Sequence, residues 1–114
     1  MVIPENILAQ CHIHGVEAYP EETCGFIVGN REDQDSLETV LPMRNIMNKL
    51  HEEDPEQYPR TARDGYMIDP REQMILERSL RKEGKEIKVI YHSHPDAGAY
   101  FSEKDKEDQM WNGK

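Results

Sequence analysis

The run Glu86 to His94, EIKVIYHSH, sets the first limit on the fold, because its apolar residues occupy both alternating faces of an extended segment. Such a strand has to lie inside a sheet covered on both sides, and the rest of the chain must supply the cover. The strongest source is DPREQMILERSLRKEGK just before it. Asp69 can cap a helix there, Pro70 suits its first turn, Met74, Ile75, Leu76 and Leu80 supply an apolar stripe, and Gly84 closes it. A second amphipathic helix is expected from Pro4, at a first helical position, to about Glu17, with Ile3, Ile7, Leu8 and Cys11 at near-helical spacing and an end near Gly15 or Tyr19-Pro20.

TCGFIVGN, bounded by glycines, reads as a buried strand, Leu37 to Met43 as another after the polar turn NREDQDS, and GYMID as a brief third. The polar stretch from Asn45 to Gly65 contains Pro55 and Pro59 and reads as a long surface loop with at most a helical turn. Strands alternating with helices define an α/β class with a mixed central β-sheet flanked by helices. With 114 residues, one domain over 1–114 is expected, with no room for a second core.

A net charge of -9, with no Lys/Arg cluster to offset it, argues against nucleic acid as a partner. No apolar run is long enough for a membrane span, and the start MVIPENILAQ lacks the basic and apolar regions of a signal peptide, so a cytoplasmic location is the default expectation. Cys11 and Cys24 are too few for a disulfide framework and read as reduced, buried thiols. His12, His14 and His51 have no matching partners and are expected at the surface.

The chemistry gathers in YHSHPDAGAYFSEKD. On an extended strand His92 and His94 project to one side and Ser93 to the other, which offers two imidazoles to one ion. The stretch PDAGAYF reads as a loop, and SEKDKEDQM as a helix start with Ser102 as N-cap and Asp105 in the first turn. Two neutral imidazoles and one carboxylate are a common zinc shell that leaves a position for water. A base for that water is expected at Glu21 or Glu22, ahead of CGFIVG. Each part also has a plain structural explanation: strand-end histidines bond locally, S-x-x-D is a capping box variant, and paired glutamates after a proline form a solvated turn.

HSHPDAGAYFSEKD fits H-x-H-x(7)-S-x(2)-D without a mismatch, and EETCGFIVG is similar to E-x-x-G followed by an apolar strand. Together they resemble the signature of the JAMM (MPN+, JAB) zinc metalloprotease family, and GYMIDP before the long helix looks like its small bacterial members. The resemblance selects Glu22 over Glu21. It implies a cytidine deaminase-like fold in which His92, His94 and Asp105 bind Zn2+. Glu22 would be general base and then acid, and Ser102 would donate a hydrogen bond to the oxyanion.

The implied reaction is hydrolysis of a peptide or isopeptide bond at the C-terminal Gly-Gly tail of a ubiquitin-like or sulfur-carrier protein, with the Asn45–Gly65 loop as a flap for that tail. Cys24 would be an extra ligand or product contact only if it left the buried packing expected of it. Family domains usually continue beyond the aspartate through a full helix and a strand, whereas this chain ends at Lys114. Met110 and Trp111 would then need cover from a missing element or a partner subunit, a homodimer included. The competing classes are a non-catalytic MPN scaffold and a JAB domain of DNA repair or phage tail assembly.

Overall fold

The computed structural model describes residues 3–94 and 98–103, with only the backbone described for His94 and for 98–103. In chain order the elements are α1 (Glu5–Ala18), β1 (Cys24–Asn30), β2 (Thr39–Met43), α2 (Met47–Glu53), α3 (Pro70–Lys82), β3 (Lys85–His94) and β4 (Gly98–Glu103). The strands form one sheet in the order β2-β1-β3-β4, and every ladder among the described residues is antiparallel.

The two innermost strands carry the core. On β1 the side chains of Cys24, Phe26 and Val28 enter one apolar layer with Leu80 of α3, and Ile27 enters the other with Ile7 and Cys11 of α1. This is the two-sided cover that the apolar β3 run demands. β3 itself breaks parity once: Val28 pairs with Ile87 but Ile27 pairs with Val89, so Lys88 is an extra residue. The bulge puts Ile87 and Ile90 in the same layer although they are three apart, and Val89 and Tyr91 in the other.

α3 starts as its sequence predicts, with Asp69 accepting a hydrogen bond from the Arg71 amide at 2.9 Å and Pro70 in the first turn. Gly84 follows it at φ 72°, a conformation that costs glycine little. The expected stripe is narrower than predicted. Leu76 and Leu80, one turn apart, face the sheet, whereas Met74 and Ile75 are exposed because they point away from that line.

α1 begins one residue later than expected, with Pro4 at the cap, and it buries Ile7 and Cys11 while Leu8 is exposed. β2 begins at Thr39 rather than Leu37. GYMID joins no ladder: its backbone is held by residues 45 and 46 instead. The Asn45–Gly65 stretch is more ordered than a surface loop, since it contains α2 and buries Met47 and Ala62. Residues 98–103, expected as loop and helix cap, form β4.

Gly25 pairs with Tyr91, and the Tyr91 ring lies across it: a Cβ at Gly25 would meet the Tyr91 hydroxyl oxygen at 2.5 Å and the Leu41 carbonyl oxygen at 2.6 Å. The ring continues over the sheet to place its hydroxyl 2.9 Å from His14 Nδ1. His14 is therefore half-buried and bonded, not a surface group as its sequence position suggested. Gly25→Ala is expected to lower unfolding free energy by about 1–3 kcal/mol, the usual cost of overpacking, measured by urea denaturation. Wild-type stability in that variant would show that the Tyr91 ring does not occupy this position.

Candidate functional site

Antiparallel pairing of β1 with β3 sets the first residues of one strand beside the last residues of the other. Cys24 pairs with His92, and the Ser93 amide donates to the Thr23 carbonyl at 3.0 Å, so the Glu21-Glu22 segment lies against the histidine end of β3. Ser93 fastens this joint from the α1 side. Its hydroxyl accepts from both the Thr23 amide and the Thr23 hydroxyl, each at 2.9 Å. His92 projects to the opposite layer.

Of the two glutamates, Glu21 is exposed and its carboxylate accepts a hydrogen bond from Asn48 at 2.8 Å. Glu22 is 4% exposed, and its Oε1 lies 3.5 Å from His92 Nδ1. A carboxylate held that far from water needs a polar or cationic neighbour, and the imidazole stands in that position. Tyr66 stacks on the same imidazole, ring centroids 4.5 Å apart and planes 20° from parallel. The sequence did not single out Tyr66, because an aromatic residue in GYMID reads as strand packing.

His94 ends β3, two positions beyond His92, with its backbone opposite Gly98. Ser102 lies within β4 opposite Ile90, two residues from the Tyr100–His92 pair, so in this structure it is a strand residue rather than a helix cap. Asp105, Met110 and Trp111 lie outside the described residues. Among the described residues no three His, Cys, Asp or Glu side chains converge on a point that could hold a metal. The donor types nevertheless fit zinc: imidazole nitrogen from His92, with the His94 imidazole and the Asp105 carboxylate as the other donors the sequence offers.

Cys24 has the chemistry of packing. It is fully buried, its Sγ is directed at the carbonyls of Met43 and Arg44, and burial, reinforced by the Glu22 charge, pushes its thiol up to about 12. Burial pushes Cys11 to about 11. Neither is a thiolate at neutral pH, the form that nucleophiles and metal ligands require.

This arrangement is an α/β sheet with a buried carboxylate and an imidazole facing one another across two strand ends. The chain belongs to the family described as prokaryotic homologs of the JAB domain, whose model matches residues 4–112. It is 29% identical over 111 residues to a probable TtuB-protein conjugate cleaving protease of Thermus thermophilus, covering 97% of this chain and 64% of that protein. It is 28% identical over 109 residues to a desampylase of Haloferax volcanii, covering 96% and 69%. A Desulfitobacterium hafniense protein solved in solution matches with 30% identity and a TM-score of 0.51 over 80% of this chain and 51% of that one. The chain thus spans about two thirds of the length of these curated relatives. Among the described residues no helix is long and apolar enough to cross a membrane.

Both thiols are expected to resist alkylation in the native protein at pH 9 and to react on denaturation, followed by mass spectrometry with and without urea. With folded values raised above the ordinary thiol value of 9.0, the burial contribution to stability is complete below pH 9 and is lost as pH climbs towards 11 and 12. Rapid native labelling of Cys24 would contradict this.

Proposed function

We propose that this chain is a zinc-dependent peptidase that hydrolyses an amide bond at the C-terminal tail of a ubiquitin-like or sulfur-carrier protein. The observation that carries the reading is the Glu22 carboxylate, buried and 3.5 Å from His92 at the end of the strand that carries His94. The names of the two curated relatives, a conjugate-cleaving protease and a desampylase, support the substrate class.

His92, His94 and Asp105 would hold the zinc ion. Bound there, zinc supplies Lewis acidity and lowers the pKa of a water to near 7 in favourable sites. Glu22, buried beside His92, would accept the proton of the attacking water and return it to the leaving amine. Ser102 would donate a hydrogen bond to the developing oxyanion. No covalent acyl-enzyme is needed, consistent with two thiols that stay protonated. The tail would enter as an extended segment, with Gly-Gly giving the backbone clearance a narrow cleft requires.

Glu22→Gln is expected to retain zinc while losing about 100- to 10,000-fold in kcat, the usual range for a general base, on a carrier-tail conjugate assayed by mass spectrometry. His94→Ala is expected to lose the metal itself, read by elemental analysis. A folded, zinc-loaded wild type that cleaves no such conjugate would leave the chain a binding scaffold, and full turnover by Glu22→Gln would exclude Glu22 as the base.

A further inference from the structure

The segment between β2 and α3 is tied to the candidate site by one side chain. Asn45 Nδ2 donates to the Glu22 carbonyl at 2.9 Å and to the Gly65 carbonyl at 3.0 Å. Its Oδ1 accepts from the Met47 amide at 3.0 Å and the Met67 amide at 3.1 Å. The two donors and the acceptor of the amide all have backbone partners, and those partners fix which way the amide faces, since two carbonyls meet nitrogen and two N–H groups meet oxygen.

The partners are informative. One is Glu22, and two others, Gly65 and Met67, flank Tyr66, whose ring stacks on His92. Asn48 adds a parallel strap: it donates to the Glu21 carboxylate at 2.8 Å and accepts from the Ala62 amide at 2.7 Å, while the Ala62 carbonyl accepts from the Glu22 amide at 2.6 Å. Both backbone polar groups of Glu22 are thereby committed to the 45–65 segment. Tyr66 also packs against the apolar layer that contains Phe26 and Ile90, and the Asn45 bonds hold the backbone on either side of it as its ring lies over His92.

We propose that Asn45 is a positioning residue: its amide locks the Glu22 backbone and the Tyr66 segment in one relation, so that Tyr66 holds the His92 ring at the angle at which it faces the Glu22 carboxylate. The significance for turnover rests on the peptidase reading above, whereas the geometry does not. A loop rooted on Glu22 in this way is a poor free-swinging flap. Its deletion would remove the anchor of the base along with any cover for a tail, so shortening the loop does not separate those two roles.

The test reads the His92 ring directly. A tyrosine ring stacked on an imidazole shields its protons, so in the purified wild type the His92 ring resonances are expected upfield of those of exposed His12. Tyr66→Leu should abolish that shift and Tyr66→Phe should preserve it. Asn45→Asp keeps the size and the acceptor but loses both donors, and it is expected to move the His92 resonances towards their Tyr66→Leu positions; if that variant does not fold, Asn45→Ser is read in the same way. On a cleavable conjugate, Asn45→Asp and Tyr66→Leu should each lose about 100-fold in kcat with KM changed less, and Tyr66→Phe should restore the rate. A folded Asn45 variant with a lower melting temperature and unshifted His92 resonances would reduce Asn45 to a stabilising residue and overturn the proposal. A wild type without hydrolytic activity would defeat the peptidase reading alone, because the resonance measurement still decides the role of Asn45.

Discussion

The pairing of Cys24 with His92 in the β1–β3 ladder is the constraint on which the rest depends. It brings a glutamate from early in the chain to a histidine seventy positions later and does so through backbone bonds between the two most buried strands. The cover on each face then follows, with α1 packed over Ile27, Val89 and Tyr91, and α3 over Phe26, Val28 and Ile90. Both helices pack on apolar residues of the sheet. Their contribution is rigidity, which a site tolerant of only small misplacement requires.

The two layers divide the polar work as well. On the α1 side Thr23 bonds Ser93 and His14 bonds Tyr91, and on the α3 side Glu22, His92 and Tyr66 gather. Alternation along two short strand ends is enough to separate them, since Thr23 lies between Glu22 and Cys24 and Ser93 between two histidines. The hydroxyl pair therefore stiffens the site from behind without occupying it.

Much of this was legible from residue pattern. The β3 run, the capped α3 and the glycine-bounded β1 announced themselves through two-sided apolarity, Asp-Pro at a helix start and buried length, and the family signature directed attention to Glu22 and His92. The local rules failed where tertiary bonding decides. GYMID alternates like a strand, yet its backbone is claimed by Asn45 and Ile46. Asn45 looked like the start of a polar loop, and no local signal distinguishes an asparagine that bonds water from one that bonds four backbone groups. Ser102 followed by x-x-Asp suggested a cap, but the β4 ladder places it opposite Ile90.

The extra residue at Lys88 changes which layer every later side chain of β3 enters. Between Ile87 and His92 the chain can exchange one apolar residue for another of similar bulk at modest cost. It cannot gain or lose a single position without turning the imidazole to the α1 layer, away from Glu22. The spacing of this segment therefore constrains the site more tightly than its composition does, and an insertion that left every core residue apolar would still disconnect the two halves of the site.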